Sequence, residues 1–304
     1  MNLDFIGKRK LWYIIALSII AIGIVSLAVQ GLNFGIDFTG GTRLVLDMPG
    51  EFSESEIRDF LAGIEATDAS GQTITLENSY IQRIIGSQDN EVVIRTVPLT
   101  EAERETLLDA FEGEWDGFNQ DSIQNMENVG PTVGGELLRN ALLALLLASA
   151  ALIAYISYRF QFKFAVTALV PLLFDSFVLI SAFSIFQVEL NQPFVAVVLT
   201  IVGYSINATI VIFDRVRENL RHSASEKKLA GTVNLSVNQT VVRSIITSLT
   251  TLLVVGCLLF LGGETLTPFA LPLFIGIISG TFSSIFIAAP LWYTWKLHEQ
   301  KARA

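Results

Sequence analysis

The sequence is poor in the residues from which most active sites are built. Its 304 residues include one cysteine and two histidines. Cys257 cannot form an intramolecular disulfide, and its apolar neighbours suit a small buried hydrophobe. His222 and His298 both flank apolar runs, so no histidine metal cluster and no Ser-His-Asp triad is expected inside them. Charge is scarce: 16% of residues are charged, against about 25% in a soluble domain. Lysine is missing from residues 30–136, where 21 acidic residues stand against 5 arginines, a balance of −16. The remainder carries 8 acidic and 15 basic residues, or +7. There is no basic patch interleaved with aromatics, so no nucleic-acid partner is expected. No cofactor motif and no metal-ligand spacing is expected either.

Apolar residues are abundant, at 51% with a mean hydropathy of +0.54. Runs of about 20 apolar residues mark membrane-spanning helices. Six occur, at about 11–29, 138–157, 164–186, 193–213, 241–262 and 266–291. Lys8, Arg9 and Lys10 precede the first, as they would in a leader peptide. That run is long, however, and no small-residue cleavage site follows, which predicts a retained span.

Lysine and arginine in short loops set orientation. Arg159 and Lys163 lie between spans two and three. Arg215, Arg217, Arg221, Lys227, Lys228 and Arg243 lie between spans four and five. Lys296, Lys301 and Arg303 follow span six, and the links at 187–192 and 263–265 hold neither residue type. Both termini are therefore expected in the cytoplasm, with 1–29 as tail and first span. Residues 30–137 form an extracytoplasmic domain, and 138–304 the remaining five spans.

The outer domain has a readable order. Thr42–Met48 is strand-like. Phe52–Glu65 reads as an amphipathic helix with Ser53 and Glu56 spaced as a capping box. Thr73–Leu76 and Tyr80–Ile85 read as a strand pair or one bent strand, and Glu91–Val97 as another strand. A second helix follows Thr100, with Glu103 three residues on. Ser122–Val129 is a last strand. The β-α-β-β-α-β order predicts a ferredoxin-like α+β sandwich.

Two glycine-rich segments bracket this domain. Gly35, Asp37, Gly40 and Gly41 belong to the first, which lacks the strand, helix and lysine of a phosphate loop. It reads as a tight turn. Gly130 and Pro131 belong to the second, at 129–136, which reads as a hinge or turn.

The spans carry a few polar residues. Asp175 lies inside span three, where a carboxylate costs roughly 2.5–3.5 kcal/mol. It must face other helices, either as a packing hydrogen bond or as a working group. Arg243, Thr247, Thr250 and Thr251 share one face of span five, with Ser244 and Ser248 alongside. Snorkelling and close helix packing account for that face without a functional role. Ser205 and Thr209 form a stripe on span four, with Asn207 near it, and are expected to match the Arg243 face. The run Asp214–Arg221 is a solvated, basic helix end able to meet anionic lipid headgroups.

Taken together, G-I-D-F-T-G-G at 35–41, V-G-P-T-V-G at 129–134, G-Y-S-I-N at 203–207, F-D-R-V-R-E-N at 213–219 and V-N-Q-T-V-V-R-S at 237–244 resemble the SecF family. SecF is the smaller partner in the SecDF complex of the bacterial Sec export machinery. The resemblance covers nearly the whole chain. It implies an RND-superfamily subunit of the inner membrane and a SecD partner. It also implies contacts with SecYEG, YajC and unfolded exported polypeptides, and use of the proton-motive force. Arg243 matches the family's functional arginine, and Asn207 the residue before its intramembrane aspartate. Many relatives read N-D-T where this chain reads Asn207-Ala208-Thr209, and alanine carries no proton. That departure leaves open a structural subunit whose SecD partner alone carries protons. An RND-type solute exporter and an intramembrane protease fit less well. The first usually holds both halves in one chain, and the second needs paired acids or a Ser-His pair.

Overall fold

The computed structural model describes residues 3–67, 71–83, 90–159, 162–222, 229–263 and 266–303. Lys227, Lys228 and the last two residues of the expected strand at 80–85 lie outside the described residues. The chain divides into two compact units, Phe34–Leu142 and Met1–Asn33 with Leu143–Ala304.

The first unit begins with a one-turn helix α2 (Ile36–Thr39), after the long α1 (Arg9–Val29) of the other unit. Strand β1 (Gly41–Asp47) follows, then α3 (Glu54–Ala62), β2 (Glu65–Thr67), β3 (Thr73–Thr75), β4 (Tyr80–Arg83), β5 (Glu91–Thr96), α4 (Glu101–Glu114) and β6 (Ile123–Val129). One antiparallel sheet has the order β4-β5-β1-β6, and β2 pairs with β3 in a separate two-stranded sheet.

Both capping boxes form. Ser53 Oγ accepts from Glu56 N while Ser53 N donates to Glu56, and Thr100 and Glu103 do the same. Phe52 precedes the cap and shares the core with Ile57, a staple that sets the angle at which the chain meets α3. Glu103 also accepts from Thr67 N at 2.8 Å. The Thr100 hydrogen bonds lead, with Thr67 adding to them, and hold its carboxyl down at about 2. The segments at 73–76 and 80–85 are not a pair. Leu76 turns into a 3₁₀ helix and buries in the core, so β3 and β4 run to different partners. Leu44, Leu46, Val92, Ile94 and Ile81 of the sheet meet Ile57, Leu61, Leu107 and Phe111 of the two helices.

The segment 129–136 is a turn only at Gly130. Pro131 opens α5 (Pro131–Arg159), where its missing N–H costs no helical bond. Gly134 lies against the first glycine-rich segment: a Cβ there would stand 2.8 Å from Gly40 N. Gly40 adopts φ +72° and Gly41 φ +144°, and Gly41 pairs with Val129.

The second unit holds α1, the rest of α5, α6 (Phe162–Ile185), α7 (Gln192–His222), α8 (Leu229–Leu261), α9 (Thr267–Ser283), a π-helical turn (Ser284–Ala288) and α10 (Ala289–Arg303). Among the described residues six helical stretches are long and apolar enough to cross a membrane. α9, the π turn and α10 together make the last of them.

Helices α7 and α8 run well past their apolar parts. Leu229, Val233 and Val237, spaced by four, bury with Phe213 and Val216 of α7. The polar sides of the two extensions join through Arg215–Gln239, Asn219–Ser236 and Asn219–Gln239 hydrogen bonds. Asn234 and Asn238 hold the chain ahead of α1. Their Oδ1 atoms accept from Phe5 N and Leu3 N at 2.7 and 2.9 Å. Cys257 is exposed rather than buried, because this chain covers little of α8 beyond its middle.

Candidate functional site

Asp175 sits on the buried face of α6, in line with Ala168, Leu172 and Leu179. That spacing repeats the helical period, so an acid at this position must point into the bundle. The residue is fully buried. Its Oδ2 accepts from Ser205 Oγ of α7 at 2.6 Å and from Ser283 Oγ of α9 at 2.7 Å. Its Oδ1 accepts from Ser279 Oγ of α9 at 2.6 Å. Among the described residues no lysine, arginine or histidine lies within ion-pair distance of it. A hydrogen bond to a charged group contributes about 1.5–3 kcal/mol. Three of them offset the roughly 2.5–3.5 kcal/mol that a mid-membrane acid costs, so the hydroxyls alone can hold the group.

Glycines allow this approach. A Cβ on Gly276 would stand 2.5 Å from Ile201 Cγ1, and one on Gly280 3.2 Å from Ser205 Cβ. The pair Gly276 and Gly280, four apart, lets α9 lie directly on α7. Beyond the carboxylate the hydroxyl network continues. Ser284 Oγ donates to Ser205 O at 3.2 Å and shares a 3.1 Å hydrogen bond with Thr209. Tyr204 and Thr281 both donate to Ser248 of α8, at 3.1 and 2.7 Å.

The other sequence candidates stand apart from this cluster. Arg243 and Thr247 are exposed on α8, and Asn207 is exposed on α7. Ala208 is half-buried. Thr247 Oγ1 donates to Arg243 O at 2.8 Å. Arg243 and Thr240 line a cleft of about 700 Å³ with Asp214, Arg215, Arg217, Glu218 and Arg221 of α7. The expected match between the Ser205 stripe and the Arg243 face therefore does not form. Ser205 and Thr209 turn to α6 and the last span, since four residues on a helix preserve a face and this face is the buried one. Gly35 caps α2, and Asp37 lies in its first turn.

Ser279 and Ser283 escape the sequence reading. Their signal is nonetheless present: two serines and two glycines at four-residue spacing in an otherwise apolar helix.

Comparison with known proteins places the chain. The family described as "Protein export membrane protein SecD/SecF, C-terminal" matches residues 114–298, and the "SecD/SecF GG Motif" matches 25–48. Protein translocase subunit SecF of Calditerrivibrio nitroreducens is 38% identical over 97% of this chain and 94% of its own length. Protein translocase subunit SecDF of Bacillus subtilis is 37% identical over 98% of this chain, which spans 39% of that longer protein. The crystal structure of SecDF from Thermus thermophilus, described as a translocon-associated membrane protein, superposes with a TM-score of 0.84 at 34% identity. It covers 97% of this chain and 39% of its own. The chain belongs to the SecD/SecF family of protein-export membrane proteins, on its SecF side.

Proposed function

We propose that this chain is an accessory subunit of the Sec machinery that works with a SecD partner in the bacterial inner membrane. It draws on the proton-motive force to help move unfolded polypeptide outward. The observation that carries this reading is the near full-length relation to SecF subunits, joined to a SecDF relative in which this chain spans only 39%. The remainder of such a protein is where the SecD half would lie. SecYEG and YajC follow as further partners from the family alone.

Several features support the details. Asn207, Arg243 and Thr247 are exposed in this chain, as are Ile246, Leu249, Leu253 and Val254 of α8. A polar face inside an apolar surface suits a partner helix better than lipid, and SecD is the partner we assign to it. The strand order β4-β5-β1-β6 with two helices supports the ferredoxin-like reading of residues 34–142. Lysine and arginine placement supports cytoplasmic termini and an outer location for that unit. The segments at Gly35–Gly41 and Gly130–Pro131 are the turns that lead into β1 and out of β6. One charge crossing 100 mV gains about 2.3 kcal/mol, which biases a two-state movement by roughly fiftyfold.

A second reading rests on Ala208: the chain shapes the complex, and SecD alone carries protons. Reconstitution with SecD and the translocon tests both. Arg243→Ala is expected to lower gradient-dependent export, and unchanged export and proton flux would refute the role given to it. Ala208→Asp separates the readings. A gain in gradient-dependent export supports a proton role for this subunit, and no change supports the structural one.

A further inference from the structure

One acid is buried inside the bundle, and the proposed function leaves it without a role. Asp175 bonds Ser205, one turn before Ala208 on the same helix. We propose that Asp175 is a proton-binding group of this chain, and that its protonation resets the contact of α7 with α9 at the π-helical turn. The inference rests on the proton-coupled reading above and names a group that carries the proton.

The hydrogen-bond inventory carries the argument. An ionised carboxylate only accepts, and here three hydroxyls donate to it. A proton taken from water onto Oδ2 makes that oxygen a donor. One serine must then accept from it and send its own O–H elsewhere. Ser283 has the place ready, because its Oγ lies 3.3 Å from Gly280 O. Protonation thus breaks the Ser283-to-Asp175 bond and forms a bond from Asp175 Oδ2–H to Ser283 Oγ. The Ser283 hydroxyl, keeping its hydrogen, then donates to Gly280 O. Loss of the proton to water reverses the set, so charge and hydrogen count balance.

The next residue is where the helix changes form. Ser284 begins the π turn and donates to Ser205 O, while Ser205 Oγ donates to the carboxylate. Isolated π turns often mark functional positions in helices. Here the turn lies one residue from the hydroxyl that must rotate, and it contacts α7 through Thr209 as well. The geometry therefore links a proton to a helix segment able to change register.

Among the described residues no lysine, arginine or histidine pairs with Asp175. The groups facing Asp175 are Ser205 of α7 and Ser279 and Ser283 of α9. Several titratable groups on the surrounding elements have partners of their own. Tyr13 of α1 bonds Thr294, Tyr204 bonds Ser248, Lys296 of α10 pairs with Glu299, and Arg9 lies over the Tyr293 ring.

The test uses the purified complex with SecD in lipid vesicles. Infrared difference spectroscopy across pH reads the C=O stretch of a protonated carboxyl group. The wild type is expected to show a band whose amplitude follows pH, and Asp175→Asn, which keeps shape and hydrogen bonding, is expected to abolish it. Gradient-dependent export should fall roughly a hundredfold or more in that variant, in the range of a lost proton-transfer group. Ser283→Ala keeps the acid but removes one hydroxyl. It should keep the band and change the proton affinity by about tenfold, the worth of one such hydrogen bond. A band that survives in Asp175→Asn, a wild-type carboxyl that never titrates, or a Ser283→Ala midpoint equal to wild type overturns the inference. If wild-type export ignores the proton gradient, the proton-coupled reading fails on its own, and the infrared band still decides whether Asp175 binds a proton.

Discussion

Replacing Gly276 with alanine puts a methyl group into a close contact between α7 and α9. The new Cβ would stand 2.5 Å from Ile201 Cγ1, 2.6 Å from Cδ1 and 3.0 Å from Cγ2. Carbon atoms prefer about 3.5–4.0 Å, so the contact is short by roughly 1 Å. Ile201 is buried, and a β-branched side chain in a helix is held near one rotamer. The side chain cannot swing away, so the helices must part. Overpacking of this kind costs about 1–3 kcal/mol. The effect reaches further, because Ser205 and Gly280 lie one turn along from the clash. A separation of about 1 Å stretches the 2.6 Å bonds from Ser205 and Ser279 to Asp175 beyond good geometry. Denaturation of the purified protein in detergent should show a lower midpoint for Gly276→Ala. Ile201→Ala removes the colliding atoms and should recover part of the loss, with a coupling of about 1–3 kcal/mol in the double-mutant cycle. Gly256→Ala is the control, since its Cβ would meet Phe274 at an ordinary 3.6 Å. A Gly276→Ala protein as stable as wild type, or a cycle with no coupling, refutes the reasoning.

Two further outcomes are expected in the unit at 34–142. Gly134→Ala should destabilise it by about 1–3 kcal/mol, because the methyl group would meet the Gly40 backbone at 2.8 Å. Gly135→Ala meets nothing within 4 Å and should be neutral or slightly stabilising in a helix; hydrogen exchange of β1 and β6 in the whole chain distinguishes them. Glu103, held at about 2 when folded against an ordinary 4.5, favours the folded form fully above about pH 4.5. That contribution should fade as pH falls from about 4.5 to 2, seen as a lower protection factor in α4 after correction for the intrinsic exchange rate, and Glu103→Gln should lack this step.

The candidate site was half legible. Asp175 stands out in the sequence because a lone acid in an apolar run is costly, and the four-residue spacing of Ser205 and Thr209 shows that they share a face. Which helix that face meets has no local signal. The serines that complete the cluster lie 104 and 108 residues away from Asp175. Arg243 was recognisable as an interfacial arginine, but its separation from the Asp175 cluster appears only when helix rotation is known.

The sequence by itself determines which stretches are long and apolar enough to span a membrane, and that the α+β unit falls between the first and second of them. A rise of 1.5 Å per residue against a fixed hydrocarbon thickness makes span length a local property. It determines both capping boxes, since each joins residues three apart. Tertiary structure alone decides that β3 and β4 part company, that 131–136 is helix, and that Ser205 faces an acid on α6. Those outcomes depend on which surfaces exclude each other's partners, and on glycines that let two helix backbones approach. Such choices are made between segments far apart in the chain, where no short-range propensity acts.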